Sequence, residues 1–207
     1  MVKNLAGESS LSDRYEIRLS GSGGQGLILA GMILAEAAGI YDGRFVAQTQ
    51  SYGPEARGGM SRSDVIISDE EIDYPKALRL DILVAMNQES CHEYLSLLKP
   101  RGILLVDATF VLEVPRERAV TIPFTRIARQ KMGKEFVANI VCLGSLTAFC
   151  PVVSKEAMES AVLGRVPKGT EELNRSALQE GIEAAAKFKE EGAWRTISRE
   201  EFRLEED

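Results

Sequence analysis

The chain has little of what an independent catalyst needs. Its 207 residues hold one histidine, His92, and three cysteines, Cys91, Cys142 and Cys150. No two cysteines form a CxxC pair, so the ligand spacing of a structural zinc or an iron–sulfur cluster is missing. Cys142 and Cys150 fall in an apolar helical stretch, which points to buried thiols in a reducing cytoplasm. Cys91 and His92 are adjacent on a predicted helix, where neighbours point in different directions, so they make a poor nucleophile–base pair. Ser20, Ser22 and Ser51 have no histidine to activate them. No apolar run reaches the ~18 residues of a membrane span. Residues 1–13 are polar and lack an apolar signal core, so they read as a flexible leader. Basic excess is also lacking: Lys and Arg number 25 against 31 Asp and Glu, a net charge of −6. That balance argues against a nucleic-acid surface. The expectation is a cytoplasmic protein with neither nucleic acid nor membrane as a partner.

What is present is the pattern of a single globular domain. Alternating apolar residues predict a first strand over Tyr15–Leu19, and Leu27–Ala38 then reads as a covered helix ended by Gly39. Further strands are expected at Phe45–Thr49, Ser63–Ser68, Asp81–Met86, Ile103–Val106 and Ala119–Ile122. Asp69–Tyr74 reads as a turn and Pro75 as the start of a short helix to Leu80. A helix over Ser90–Leu98 is expected to stop at Lys99-Pro100-Arg101-Gly102. Helical patterns fill Thr125–Met132, Phe136–Phe149, Lys155–Leu163 and Glu171–Glu191. Strands alternating with helices, then helices alone, predict an α/β fold. The expected form is a three-layer α/β/α sandwich with a mostly parallel sheet and additional C-terminal helices. The domain should span residues 14–192, with an acidic tail over 193–207.

Two segments carry chemistry. Ser20-Gly21-Ser22-Gly23-Gly24-Gln25-Gly26 joins the first strand to the first helix. Bare backbone N–H groups at such a helix start can cradle a phosphate, with tight packing as the alternative reading. A dinucleotide site would also want an acid at the end of the second strand. That strand ends Gln48-Thr49-Gln50, and no lysine follows Gly26 as a Walker loop requires. The second segment, Tyr52-Gly53-Pro54-Glu55-Ala56-Arg57-Gly58-Gly59, frames Glu55 and Arg57 with small or restricted residues. It suits an arginine fork for a phosphate or carboxylate, or a structural loop with a local ion pair, and Arg62 adds charge nearby. Asp107 and Thr109 are candidates for the same cleft or for ordinary turn chemistry. Asn139 interrupts an apolar helix as a core contact or a ligand contact.

Together the glycine loop, the Gln50–Gly59 stretch, Ser61–Ser68 and the helix around Asn139-Ile140-Val141-Cys142-Leu143-Gly144 resemble the gamma subunits of 2-oxoacid:ferredoxin oxidoreductases. The 2-oxoglutarate type is the nearest, with pyruvate, branched-chain and indolepyruvate enzymes as alternatives. The resemblance covers roughly residues 15–190. It implies a complex that oxidatively decarboxylates a 2-oxoacid to an acyl-CoA and reduces ferredoxin. It implies thiamine diphosphate, Mg and iron–sulfur clusters in the partner alpha, beta and ferredoxin-like delta subunits, and none in this chain. The corresponding domain of the single-chain pyruvate enzymes is linked to coenzyme A. The resemblance therefore carries a coenzyme A role onto Gly21, Ser22, Gly23, Gly24, Gln25 and Gly26, with Arg57 a candidate for the same ligand or for the subunit interface. It also implies a chain inactive alone, with exposed apolar surface through which it can self-associate. The alternative is a purely structural assembly subunit.

Overall fold

Alternation along the first strand decides the architecture. In β1 (Tyr15–Ser22), Ile17 and Leu19 face one side of the sheet and are fully buried. Glu16, Arg18 and Ser20 face the other side and are buried too. Both faces must therefore be covered. The computed structural model, which describes residues 14–52, 60–114 and 119–191, shows how.

The other strands are β2 (Phe45–Tyr52), β3 (Met60–Ser68), β4 (Leu80–Ala85), β5 (Leu98–Asp107) and β6 (Ala119–Ile122), in the sheet order β2-β3-β1-β4-β5-β6. The β1–β4, β4–β5 and β5–β6 pairs are parallel. β3 runs antiparallel to both β1 and β2, so it alone points against the rest.

The helices are α1 (Leu27–Glu36), α2 (Gln88–Tyr94), α3 (Phe124–Ile127), α4 (Ala138–Thr147), α5 (Lys155–Arg165) and α6 (Glu171–Glu190). α1 and α4–α6 cover the Ile17 face, where Leu27, Ile33, Leu143, Met158 and Leu178 join Ile82, Val84 and Leu105 in the main core. α2 covers the other face, where Cys91 and Tyr94 pack with Leu83, Ala85, Leu104 and Val106. The sandwich has three layers, one much thinner than the other.

The thin face is held by polar groups. Arg18 pairs bidentately with Asp64 on β3, at 2.6 and 2.7 Å, and lies 4.5 Å from the centre of the Tyr94 ring. Such a buried pair costs desolvation and fixes register more than it adds stability. Glu16 accepts from the backbone N–H of Leu78 and Arg79, and Arg14 donates to the carbonyls of Tyr74 and Lys76. The helix expected from Pro75 to Leu80 is absent for this reason: buried Glu16 and half-buried Arg14 capture the backbone groups that it would use. β5 also begins earlier than expected. Its pairing with β4 slips between Leu80↔Leu98 and Ile82↔Ile103, and the Pro100–Gly102 punctuation sits in that irregularity, just past the helical stretch that ends at Leu97.

α4 and α6 meet backbone to backbone. A Cβ on Gly144 would lie 2.0 Å from the Leu178 carbonyl oxygen, and one on Gly181 would lie 2.0 Å from that of Val141. The Ser145 hydroxyl donates to the Gly181 carbonyl at 2.8 Å. Gly144→Ala is expected to destabilise the domain by about 3 kcal/mol in urea unfolding. Gly164→Ala on α5, where the nearest atom is the Tyr41 hydroxyl at 3.4 Å, should be neutral or stabilising by up to about 1 kcal/mol.

Candidate functional site

The loop between β1 and α1 is shorter than its motif. Gly21 and Ser22 belong to the strand, and the turn proper is residues 23–26. Gly21 is buried beneath the Gln25 side chain. A Cβ there would meet Gln25 Oε1 at 2.3 Å, Met86 Cβ at 2.8 Å and Leu27 Cδ1 at 2.9 Å. The bare Cα lets the Gln25 amide lie flat and bridge two strands. Its Oε1 accepts from the Ser22 N–H at 2.7 Å and its Nε2 donates to the Met86 carbonyl at 3.2 Å. Gln25 and Gly21 therefore build the loop, and both polar atoms of the Gln25 amide are already engaged.

Gly23 and Gly24 stand exposed at the tip, and Gly24 has φ +92°. Gly26 caps α1 with φ +74°. The backbone N–H groups of Gly23, Gly24 and Gly26 have no hydrogen-bond partner among the described residues. They lie in the turn that leads into the positive end of α1.

Two asparagines complete the site. Asn87 Nδ2 donates to Ser22 Oγ at 2.8 Å, and Asn87 Oδ1 caps α2 by accepting from the Ser90 N–H at 2.9 Å. Asn139, in the first turn of α4, donates from Nδ2 to the Gly26 carbonyl at 3.1 Å. Its Oδ1 is buried and has no partner among the described residues. Buried polar atoms without partners are rare, and this one lies beside the glycine loop. A Cβ on Gly26 would come within 2.5 Å of Asn139 Nδ2, so a side chain there would displace it. The sequence singled out Asn139 but gave Asn87 no role. The cue was an Asn three residues before Ser90, the spacing of a helix cap.

Topology places this cluster at a crevice. From β1 the chain crosses by α1, on the thick face, toward β2 and β3. From β4 it crosses by α2, on the thin face, toward β5. Connections that diverge from adjacent parallel strands open a ligand crevice at their carboxyl ends. The same topology rules out the classical dinucleotide arrangement, because antiparallel β3 separates β2 from β1. No acid at the end of β2 could stand beside the β1 loop.

The other sequence candidates fare differently. Arg57 lies outside the described residues, as does the rest of Gly53–Gly59. The residues that bracket them sit at the crevice edge, with Tyr52 opposite Ser61 and Met60 opposite Ser22. Arg62 lies away from the loop, its guanidinium 5.6 Å from the centre of the Tyr94 ring. Asp107 is buried and fully used: it accepts from the Thr109 N–H, the Thr125 N–H and the Thr125 hydroxyl. It ties β5 to α3 and does not line the cleft. His92 is exposed beside Gln88, while its neighbour Cys91 is buried.

Burial raises the thiol pKa of all three cysteines, that of Cys150 to about 12. Cys91 belongs to the thin-face core, and Cys142 and Cys150 to the main core. These protonated thiols do not fit a cluster. Among the described residues no His, Cys, Asp or Glu group is arranged to hold a metal ion. No helix among them is long and apolar enough to cross a membrane.

Residues 16–184 match the family described as pyruvate ferredoxin/flavodoxin oxidoreductase. The chain belongs to that family. It is 54% identical over 176 residues to the 2-oxoglutarate synthase subunit KorC of Methanocaldococcus jannaschii, covering 83% of this chain and 94% of that one. It is 51% identical to the solved gamma subunit of a keto/oxoacid ferredoxin oxidoreductase from Geobacter sulfurreducens, with TM-score 0.78, covering 84% and 98% of the two chains. The 2-oxoglutarate:ferredoxin oxidoreductase of Magnetococcus marinus, at 23% identity, shares the fold with TM-score 0.75. The match covers 91% of this chain and 33% of that longer one, so there the fold is one part of a larger polypeptide.

Thiol chemistry checks the burial of the cysteines. The native chain should show no fast-reacting thiol toward a disulfide reagent at pH 8, and all three should react in denaturant. Because their pKa values are raised by folding, their contribution to stability is full below the unfolded thiol value of about 8.5. It falls as pH rises above that. Cys142→Ala should flatten this alkaline decline in a series of urea melts.

Proposed function

We propose that this chain is the gamma subunit of a 2-oxoglutarate:ferredoxin oxidoreductase. The complex would convert 2-oxoglutarate and coenzyme A to succinyl-CoA while reducing ferredoxin. Identity of 54% to a 2-oxoglutarate synthase subunit, across nearly the whole of that subunit, supports this reading over the pyruvate, branched-chain and indolepyruvate types. The chain's role would be to bind coenzyme A and hold the assembly together, in the cytoplasm. Alpha and beta subunits and a ferredoxin-like delta subunit would carry thiamine diphosphate, Mg and the iron–sulfur clusters.

The observation that carries the coenzyme A reading is one juxtaposition. The N–H groups of Gly23 and Gly24, without a partner among the described residues, stand just before a ten-residue helix whose N-cap, Gly26, is hydrogen-bonded to Asn139, the residue with the partnerless buried Oδ1. The N–H groups and the helix end suit a phosphate of coenzyme A. Asn139 Oδ1 would accept from a donor on the same ligand. Ser22 Oγ, held by Asn87, offers a further hydroxyl at the rim. Arg57 would contribute a cation to the ligand or to the interface. None of these groups moves a proton or attacks a carbon: they bind and orient, and the chemistry falls to the partner subunits.

Affinity capture of the chain from its host under anaerobic conditions tests the assembly. Thiamine-diphosphate and iron–sulfur subunits should co-elute, with ferredoxin reduction dependent on 2-oxoglutarate and coenzyme A. Elution alone would contradict it. The ligand role is tested by Gly24→Asp against Gly24→Asn in the assembled complex. Both side chains have open space and the same positive φ to accommodate, so only the charge differs. Gly24→Asp should raise KM for coenzyme A at least tenfold with kcat little changed, and Gly24→Asn should raise it far less. Equal kinetics for the two, with assembly intact, would place the phosphates elsewhere.

A further inference from the structure

Ser22, the last residue of β1, has its backbone spent on the loop. Its N–H donates to Gln25 Oε1 at 2.7 Å, and its carbonyl accepts from the Gln25 N–H at 3.3 Å. Its hydroxyl is held from one side only. Ser22 Oγ accepts from Asn87 Nδ2 at 2.8 Å, and its own proton meets no acceptor among the described residues.

The direction of that bond is forced by the cap of α2. Asn87 Oδ1 accepts from the Ser90 N–H at 2.9 Å. A backbone N–H only donates, so the amide atom that meets it must be the oxygen. The other end of the same amide is then the nitrogen, which also only donates. Ser22 Oγ is therefore the acceptor of this pair, and its proton has to point away from Asn87. The backbone keeps the two residues together. The Met86 N–H donates to the Ser20 carbonyl at 2.8 Å, and the Met86 carbonyl accepts from Gln25 Nε2 at 3.2 Å. These bonds carry the parallel β1–β4 register past Ser20↔Ala85 and set Asn87 beside Ser22.

We propose that Asn87 is a positioning residue for a phosphate of coenzyme A. By capping α2 with its oxygen, it commits its nitrogen to Ser22. It thereby turns the Ser22 hydroxyl into a fixed donor, next in sequence to the N–H groups of Gly23 and Gly24, which have no partner among the described residues. Consecutive donors of this kind suit a phosphate oxygen and reject a group that must itself donate. The inference rests on the coenzyme A reading of the loop. It adds to that reading a residue outside the glycine motif, just past the end of β4.

Steady-state kinetics of the assembled complex test it, with Ser22→Ala, Asn87→Ser and the two combined. Serine caps a helix as well as asparagine does. It is too short to hold the Ser90 N–H and reach Ser22 as well, so Asn87→Ser keeps α2 and removes the one contact. Ser22→Ala should raise KM for coenzyme A about tenfold, the loss of one hydrogen bond to a charged group. Asn87→Ser should raise it about fivefold, because the hydroxyl remains but is no longer directed. Both should leave kcat and KM for 2-oxoglutarate little changed. The double variant should be no worse than Ser22→Ala, since without the hydroxyl Asn87 has nothing to direct. Asn87→Asp, which keeps the cap but accepts the Ser22 proton, should raise KM for coenzyme A more than Asn87→Ser does. A wild-type KM in Asn87→Ser, or effects that multiply in the double variant, overturns the proposal. The Gly24 pair shows which claim has failed. If Gly24→Asp and Gly24→Asn differ as expected while Asn87→Ser is silent, the role of Asn87 alone falls. If the Gly24 variants are alike, the coenzyme A reading falls and this inference with it.

Discussion

The candidate site rests on the clamp made by Gln25. Its amide reaches from the Ser22 N–H on β1 to the Met86 carbonyl at the end of β4, across a Cα that carries no side chain. This one bridge sets three things at once. It fixes the spacing of the two parallel strands at the crevice. It bends the chain so that α1 starts at once after the turn. It also occupies the Ser22 N–H and the Met86 carbonyl itself, while the N–H groups of Gly23 and Gly24 stay without a partner among the described residues. A glycine loop without such an internal prop would have to be ordered by its ligand, at the cost of backbone conformational entropy. Here the order is built into the fold.

The two faces of the sheet divide the labour. The thick face supplies the apolar mass: α1, α4, α5 and α6 close over Ile17, Leu19, Ile82 and Val84. It also delivers Asn139 to the loop, because α4 starts beside Gly26. The thin face supplies register through the Arg18–Asp64 pair, the Ser20–Ser90 contact and the Ser22–Asn87 contact, all spaced along one side of β1. The side of β1 that reads as polar in sequence is thus a buried seam that ends at the crevice. Loss of any one partner along it would leave a buried group unsatisfied, which costs more than the contact itself contributes.

Much of this was legible in the sequence, and the parts that were not share a cause. β1, β3 and β4 announced themselves by apolar runs, and α5 and α6 by their helical patterns. The glycine loop was visible, but its internal roles were not. Only the packing shows that Gly21 is there for Gln25 while Gly23 and Gly24 are free. The return of the chain through β3, antiparallel between β2 and β1, was invisible because a run such as Val65-Ile66-Ile67 has no direction. The helix expected after Pro75 failed to long-range hydrogen bonds from Glu16 and Arg14, some sixty residues away. The helical stretch stops close to where it was expected, at Leu97, but β5 begins at once because a strand irregularity absorbs Pro100 and Gly102. Local signals mark where the chain can turn; tertiary partners decide what it does there.

Electron cryomicroscopy of the assembled complex with coenzyme A tests the central claim most directly. The account predicts phosphate density at the loop, with oxygens about 2.7–3.2 Å from the backbone nitrogens of Gly23 and Gly24, and a ligand donor on Asn139 Oδ1. Coenzyme A seated wholly on other subunits, with this loop empty and Asn139 still without a partner, would contradict it.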